Sequence, residues 1–382
     1  MKKEITGFFI FSAITMTSQA TTFTSVEQPI NEAQACLLPP KIDGRISLKP
    51  NCTYIGSLIV DGPVSSLDCR NSKILGNKDL TYGITVNIDS QTKNIEIKNC
   101  NIEKFPKSGI LIKSTNSSEA HVEENTFPIV TVKDSTIRFN GDVGVFLGKG
   151  VSNVLVKNNE ILGNRGPGIY LEYESKNNTI LENKIYNNGL DPKGRNEWPY
   201  IREGMSIDSS AYNLIKGNMF SKNGYGAIFL YKNCGERNGP ARIQPSQQNL
   251  IISNKIENEI NGIWVAQRQS QDLSKMRCSD EYYAENKYAL DKAPNNKIIK
   301  NLIAATINPI IVEDDDNEVA ENEIFSTGKF CIKVGAIYRY TYLNHPVQNT
   351  IITANKCTLE NNLQENNGFL LEKSSSSTII NE

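Results

Sequence analysis

The chain has 382 residues and nearly balanced charges, with 41 lysines and arginines against 42 aspartates and glutamates, a formal net charge of −1. A chain without an overall positive field is not expected to bind nucleic acid or an anionic membrane surface. Only 38% of the residues are hydrophobic, which favours a thin core over a thick globular one.

The N-terminus has the three parts of a secretory signal peptide. Lys2 and Lys3 precede an apolar stretch at residues 5–16, and Ser18-Gln19-Ala20 is a small-residue cleavage site. About 12 apolar residues are too few to span a bilayer, and no other stretch is long and apolar enough. We therefore predict a signal peptide at residues 1–20, no membrane insertion after its cleavage, and a periplasmic or secreted protein.

One phrase recurs along the rest of the chain. It consists of an Asn, three mostly apolar residues, any residue and a second Asn. It occurs at residues 94–99, 153–158, 178–183, 213–218, 249–254, 296–301 and 317–322, and loosely at 349–355. The shortest recurrences, of 21 and 25 residues, fall in the range that indicates stacked repeats.

Each phrase predicts one short strand. Runs such as Val-Leu-Val are β-branched and too short for a helix, and Asn tolerates the backbone angles of the bends that follow. Strands stacked at roughly 4.8 Å per layer would align equivalent Asn side chains into hydrogen-bonded ladders. The sequence thus predicts an all-β, single-stranded parallel β-solenoid at residues 61–365, with an N-terminal cap at 21–60 and a C-terminal tail at 366–382.

This pattern resembles the right-handed parallel β-helix superfamily, which includes pectate lyases, polygalacturonases, mannuronan C5-epimerases and phage tailspikes. The resemblance implies a right-handed β-helix. The epimerases have an Asp-Pro-His sequence in the coil that corresponds to residues 204–208, where this chain has Gly-Met-Ser-Ile-Asp. The polygalacturonase-like enzymes use three clustered Asp residues. At the corresponding place this chain has one Asp and one Glu, Asp208 and Glu172.

Eight cysteines in an exported chain favour disulfides, although eight allow 105 pairings. The expected pair is Cys234 with Cys278, which lie in neighbouring insertions. Partners close in sequence give the other expected pairs, Cys36 with Cys52, Cys69 with Cys100 and Cys331 with Cys357. Without Cys-x-x-Cys and with only two histidines, zinc and redox chemistry are not expected.

Three successive central repeats carry extra sequence, near residues 189–203, 232–248 and 268–295. Insertions in repeat proteins form loops, often on the binding face. We predict that these three loops wall a cleft, although loops that only cover strand edges would show the same pattern.

The strands beside these loops alternate between inward and outward residues. Inward residues are predicted to be Val145, Leu147, Ile169, Leu171, Met205, Ile207, Ile228, Leu230, Ile263 and Val265. Outward residues are predicted to be Phe146, Tyr170, Glu172, Ser206, Asp208, Phe229, Tyr231 and Trp264. Exposed rings side by side are a common floor for sugars, so Tyr170, Phe229 and Trp264 are candidate substrate-binding residues.

Glu172 and Asp208 occupy the same position on adjacent coils, so their backbones should lie roughly 4.8 Å apart. Two carboxylates that close are unfavourable unless something compensates their charge. Three uses remain open: a calcium site, an acid pair for glycoside hydrolysis, or stabilisation of a basic neighbour. Calcium is therefore the one cofactor expected, if there is any. The acidic run at residues 313–318 falls where a turn should lie, and we interpret it as a solvated turn.

The loops supply the other candidate residues. The predicted catalytic group comprises Glu172, Asp208, Tyr231, Lys232 and Arg237, and Arg202, Arg268 and Trp198 are added to the predicted substrate-binding group. The predicted partner is a polysaccharide, and the predicted activity is that of a lyase or C5-epimerase on an acidic, uronate-type glycan. A hydrolase using Glu172 and Asp208 and a non-catalytic glycan-binding surface protein are the alternatives. The oligomeric state stays open.

Overall fold

Almost every strand of the protein pairs in parallel with the equivalent strand one coil earlier and one coil later. The computed structural model describes residues 35–115, 128–195, 200–235, 241–278, 280, 282–285, 287–360, 368–372, 375 and 379–381. These residues belong to one unit, Ala35–Glu382. The predicted signal peptide at residues 1–20 lies outside the described residues.

The strands stack into three columns, which we call sheets 1, 2 and 3. Sheet 1 contains Ala35–Cys36, Thr53–Ile55, Lys73–Leu75, Asn101–Glu103, Thr136–Arg138, Glu160–Leu162, Lys184–Tyr186, Met219–Ser221, Lys255–Glu257, Leu302–Thr306, Glu323–Ser326 and Lys356–Leu359. Sheet 2 contains Ile84–Ile88, Ile110–Ser114, Val145–Leu147, Ile169–Leu171, Glu203–Asp208, Gly226–Tyr231, Asn261–Val265, Asn308–Val312, Ile332–Val334 and Phe369–Leu371. Sheet 3 contains Asn94–Lys98, Val130–Lys133, Val154–Lys157, Thr179–Leu181, Leu214–Lys216, Leu250–Ile252, Lys297–Ile299, Glu318–Ala320, Ile351–Thr353 and Ile379–Asn381.

Two long strands, Lys41–Ser47 and Leu58–Asp68, pair with each other, and the second joins sheets 2 and 3. The coils therefore begin before residue 61, and paired strands continue past residue 365 to Asn381. Residues 41–60 and 379–381 thus form part of the solenoid.

Three further elements lie outside the columns. They are the 3₁₀ helix Gln267–Ser270, the antiparallel hairpin Tyr282–Tyr283 with Tyr288–Ala289, and the α-helix Ile337–Leu343. The first two belong to the third insertion. Within the described residues, no helix has the length and apolar character that a membrane span requires.

The core is a narrow stack of aliphatic side chains between the three sheets. All ten residues predicted to point inward from sheet 2, from Val145 to Val265, are fully buried in this core. The predicted strand phase is therefore confirmed, and with it the set of side chains on the outer surface of sheet 2.

Asparagine ladders run through the bends, as predicted. One ladder joins Asn159, Asn183, Asn218, Asn254, Asn301, Asn322 and Asn355. A second joins Asn178, Asn213, Asn249, Asn296 and Asn317. A third joins Asn140, Asn164, Asn188 and Asn223 and ends on Glu259.

The predicted phrase is one residue out of register in its first two coils. The ladder position after Val154–Lys157 is Asn159, whereas Asn158 has φ 53° and lies in the bend itself. Asn99, with φ 54°, likewise precedes its ladder position. Because Asn suits both the left-handed bend and the ladder, the sequence alone did not separate the two positions. The corrected spacing to Asn183 is 24 residues.

All four predicted disulfides are confirmed: Cys36–Cys52, Cys69–Cys100, Cys234–Cys278 and Cys331–Cys357. The Cys234–Cys278 bond joins the second and third insertions. Four disulfides are typical of a protein in an oxidising compartment.

Candidate functional site

Sheet 2 carries one line of outward side chains along the solenoid. Its pairing places Phe146 beside Tyr170, Tyr170 beside Ser206, Ser206 beside Phe229, and Phe229 beside Trp264. This order matches the sequence-based alignment of the coils.

The three insertions approach this line from both ends of its strands. The first precedes the strand Glu203–Asp208, whereas the second and third follow Gly226–Tyr231 and Asn261–Val265. The loops lie at the ends of these strands and also cover this face. Ser206, Asp208, Phe229 and Tyr231 point away from the core and are nevertheless buried.

The expected exposed aromatic floor is therefore wrong for Phe229, whose ring lies beneath Tyr225 and Trp264 at centroid distances of 5.4 and 5.7 Å. Phe146, Tyr170 and Trp264 remain partly exposed. Trp264 Nε1 donates a hydrogen bond to Glu313 (3.1 Å). Sequence periodicity gave the direction of each side chain but not what the loops place over it.

Asp208 is the most completely enclosed carboxylate of the site, with 0% exposure. Tyr170 Oη donates to it at 2.5 Å, Ser209 Oγ at 2.9 Å, and the backbone N and Nδ2 of Asn233 at 3.2 and 3.3 Å. Burial raises the pKa of Tyr170 well above its usual value, and the charge of Asp208 raises it further. Tyr170 therefore keeps its proton at neutral pH.

Arg242, from the second insertion, compensates the Glu172 and Asp208 charges. Its Nη2 lies 2.8 Å from Glu172 Oε1 and 4.0 Å from Asp208 Oδ2, and its guanidinium lies over the Tyr173 ring at 4.9 Å. Of the three uses considered for the paired carboxylates, this arrangement matches stabilisation of a basic neighbour.

The same contacts bear on the calcium prediction. A divalent cation bound by Glu172 and Asp208 would face the guanidinium of Arg242, and the Asp208 oxygens already accept hydrogen bonds from three residues. Within the described parts of the chain, no group of three or more His, Cys, Asp or Glu side chains is arranged to hold a metal ion. The residues of this pair do not fit a calcium ion.

Glu203 forms a second buried acidic centre at the other end of the strand. It accepts hydrogen bonds from Ser206 Oγ and Tyr231 Oη, and Arg202 Nε lies 3.5 Å from its Oε2. Burial works to raise the Glu203 pKa, but the charge of Arg202 and the Ser206 hydrogen bond outweigh it and lower the pKa. Glu203 is therefore ionised at neutral pH. Burial raises the pKa of Tyr231, so that phenol stays protonated.

Lys232, predicted to be catalytic, and Arg268, predicted to bind substrate, are both buried in the loop layer. Lys232 Nζ binds Asp280, and Arg268 lies over the Tyr231 ring at 4.5 Å while its Nη1 donates to Gln271 (2.6 Å). Asp291, also buried, accepts hydrogen bonds from the backbone N of both. These contacts hold the second and third insertions together next to sheet 2. Arg237 and Trp198 lie outside the described residues.

An open groove of about 470 Å³ lies beside this buried layer, at the N-terminal ends of the sheet 2 strands. Phe146 and Tyr170 line it and stack at 5.3 Å with an interplanar angle of 12°. Its other side chains are mainly charged: Asp142, Arg165, Asp191, Arg195 and Arg202, together with Tyr200. Of the residues predicted to bind substrate, the groove unites Tyr170 and Arg202.

The arginines of the groove differ in what they contact. Arg195 forms a two-point ion pair with Asp191, at 2.7 and 3.1 Å, and stacks on Tyr200 at 3.5 Å. Arg165 is exposed and makes no ion pair within 4 Å with the described part of the protein. Sequence analysis missed Arg165. It directly follows Asn164 of the third ladder, and aligning the bends rather than the strands would have found it.

The acidic run at residues 313–318 is not the solvated turn we expected. Glu313 and Asp314 are buried, and Arg339 of the α-helix binds Asp314 at 2.8 Å and Asp315 at 2.6 Å. Burial raises the pKa of Asp314 to about 7, against the opposing charge of Arg339.

The sequence also matches a family model, described as the right handed beta helix region, over residues 129–238. The chain is a right-handed parallel β-helix protein. None of the curated proteins matches its sequence.

Several solved structures resemble this β-helix protein in fold. The alginate lyase from Paenibacillus sp. str. FPU-7 is 12% identical over 91% of this chain and 99% of its own, with a TM-score of 0.42. The A-module of Azotobacter vinelandii mannuronan C-5 epimerase AlgE6 is 12% identical over 92% and 91%, with a TM-score of 0.43. The pre-mature bacteriophage phi29 gene product 12 is 11% identical over 91% of this chain and 50% of its own, with a TM-score of 0.48. At these identities and scores, the likeness does not extend to a reaction or a substrate.

Proposed function

We propose that this β-helix protein is an exported enzyme that processes an acidic polysaccharide in the groove beside Tyr170, by β-elimination or by C5 epimerisation. The observation that supports it most directly is the combination of stacked rings and arginines in one open groove, with a buried carboxylate bound to the phenol of one of those rings. Rings offer apolar faces to the C–H groups of a sugar, and arginines bind carboxylates.

Arg165 is the residue best placed to neutralise the substrate carboxylate. It is exposed in the groove, whereas Arg195 is already paired with Asp191. A guanidinium binds a carboxylate through two parallel hydrogen bonds. Neutralising the uronate charge makes the proton on C5 easier to remove, which both proposed reactions require.

Tyr170 is the proposed proton acceptor, and Asp208 is the residue that positions it. Tyr170 Oη takes the proton from C5 while its own proton moves to Asp208 along the existing hydrogen bond. In elimination, the C4–O4 bond then breaks and the departing oxygen takes a proton from solvent. In epimerisation, C5 takes a proton from solvent on its opposite face. In both reactions Asp208 then releases its proton to solvent.

A hydrolase using Glu172 and Asp208 is less consistent with these contacts. Asp208 is fully buried with both oxygens hydrogen-bonded, and Glu172 is held by Arg242. A general acid must come within hydrogen-bond reach of the glycosidic oxygen, which this arrangement of Asp208 does not permit.

The test is an assay of the mature protein on a panel of polyuronates in D₂O. Ultraviolet absorbance from unsaturated ends identifies elimination, deuterium at C5 without absorbance identifies epimerisation, and new reducing ends without either identify hydrolysis. Arg165→Ala should abolish turnover or raise KM at least tenfold. Arg45→Ala removes another exposed arginine, outside the groove, and should change nothing. Binding of a polyuronate without any turnover would support the non-catalytic alternative instead.

A further inference from the structure

Four tyrosine rings form a second aromatic surface, which we call the tyrosine platform: Tyr283, Tyr288, Tyr338 and Tyr342. Tyr288 stacks on Tyr338 with centroids 4.6 Å apart and an interplanar angle of 17°. Tyr342 lies 6.2 Å from Tyr288 and 6.3 Å from Tyr283. Two of the rings come from the hairpin of the third insertion and two from the α-helix Ile337–Leu343.

The platform has a buried layer and an exposed layer. Tyr283 and Tyr288 are buried, whereas Tyr338 and Tyr342 are 36% and 53% exposed. Because the inner rings support the outer ones, the exposed rings extend a packed aromatic cluster. Supported rings of this kind present apolar faces to solvent without having to be ordered on binding.

A buried ion pair fixes the orientation of the helix that carries the exposed rings. Arg339, next to Tyr338, is only 1% exposed, and its guanidinium binds Asp314 at 2.8 Å and Asp315 at 2.6 and 2.7 Å. A seven-residue helix is too short to be stable alone. The burial of a charged anchor in the acidic turn keeps Tyr338 and Tyr342 on the outer side.

Charge at the platform indicates what it would accept. The ammonium of Lys287, an exposed residue, lies 5.4 Å from the centre of the Tyr288 ring. Rings beside a cation suit a sugar that bears a carboxylate, because the ring takes the C–H face and the ammonium takes the charge. None of the four tyrosines lines the groove beside Tyr170.

We propose that the tyrosine platform is a separate binding site for an acidic glycan chain, which holds the polymer without transforming it. The proposal rests on the proposed function only for the choice of an acidic glycan. It gives a role to the four rings that the third insertion and the helix bring together outside the groove. Neither the fold nor the proposed reaction requires these rings.

The experiment is affinity electrophoresis of the full chain in gels containing a polyuronate, together with turnover of short uronate oligosaccharides. Tyr342→Ala and the double variant Tyr338→Ala/Tyr342→Ala should lose most of the retardation, at least fivefold in apparent affinity, with turnover of short substrates unchanged. Tyr342→Trp, which restores a ring, should keep it. Tyr212→Ala removes a 50% exposed tyrosine outside the platform and should migrate like the wild type.

Two results would overturn this proposal. One is wild-type retardation of the double variant when circular dichroism shows that it is folded. The other is a wild-type dimer that Tyr342→Ala converts to a monomer while glycan retardation stays unchanged. That outcome would mean that the platform joins two copies of the chain. If either result is obtained and Arg165→Ala is inactive, only the platform proposal fails and the proposed function stands. If Arg165→Ala is fully active, the proposed function fails and the platform proposal is unaffected.

Discussion

Tyr170 and Asp208 lie on neighbouring coils and share a 2.5 Å hydrogen bond from the phenol to the carboxylate. The ring of Tyr170 lines the open groove, whereas Asp208 is fully buried. The pair therefore links the groove to the polar layer beneath the loops, and of the two residues only Tyr170 lines the groove.

Removing the Tyr170 hydroxyl should abolish turnover while the substrate still binds. Tyr170→Phe keeps the ring that stacks on Phe146, so KM should change little, and kcat should fall by about 10²–10⁴, the usual contribution of a general base. Asp208→Asn should lower kcat to a similar extent, because an amide cannot take the proton that Tyr170 gives up when it accepts the proton from C5. Steady-state kinetics on a polyuronate measure both. Unchanged kcat in Tyr170→Phe would rule out the proposed proton transfer.

Glu259 should make the stability of the protein depend on pH. It ends the third ladder by accepting hydrogen bonds from the backbone N and Nδ2 of Asn223, and burial raises its pKa to about 8. Between its usual pKa of 4.5 and about 8, the unfolded chain releases this proton and the folded chain keeps it. The free energy of unfolding should therefore fall as pH rises through this window, by up to roughly 1.4 kcal/mol per pH unit.

Glu259→Gln keeps an acceptor for Asn223 and cannot ionise, so it serves as the matched variant. Its melting temperature should fall less steeply than that of the wild type between pH 5 and pH 8, and the two curves should diverge as pH rises. Parallel curves across that range would mean that Glu259 does not hold its proton in the folded state.

The ladder asparagines should differ sharply from the bend asparagines in their effect on stability. Asn183 donates to Asn218 Oδ1 (3.0 Å) and Val156 O (2.8 Å), and it accepts from the backbone N and Nδ2 of Asn159. Asn183→Ala would leave several buried groups unpaired, at a cost of about 2–4 kcal/mol. Asn158→Gly removes an exposed hydrogen bond to Asp134 and preserves the bend, so it should cost less than about 1 kcal/mol. Urea denaturation measures the free energy of unfolding of both variants. Equal losses in the two variants would show that the ladder hydrogen bonds contribute no more than the exposed one.

The Cys234–Cys278 disulfide should stabilise the loop layer over sheet 2. It closes a loop with a sequence separation of 44, for which the chain-entropy model gives about 4 kcal/mol. The Cys234→Ser/Cys278→Ser variant should therefore melt earlier and be cleaved faster by protease in residues 232–295. The Cys36→Ser/Cys52→Ser variant, which opens a separation of 16, should not accelerate cleavage there. Identical cleavage of the first variant and the wild type would show that other contacts hold the loops.

The sequence by itself determined the repeating part of the protein. The parallel coils and the inward phase of Ile207 and Leu171 were predictable, because stacked coils repeat one local pattern and place equivalent residues next to each other. The disulfide pairs were predicted on another ground, from cysteines that lie close in sequence or in neighbouring insertions. The slips of register, at Asn99 and Asn158, arose because one residue type suits both the bend and the ladder position.

Only the tertiary structure decided what surrounds the outward side chains. The insertions do not repeat, so nothing in the pattern told how Arg242 would reach Glu172, how Asp280 would bind Lys232, or that Asp208 would be buried. These contacts join residues 48 to 70 positions apart, and their geometry depends on the path of each loop. The period of the coils fixes where a side chain points, whereas the loops fix whether it meets solvent, substrate or another charge.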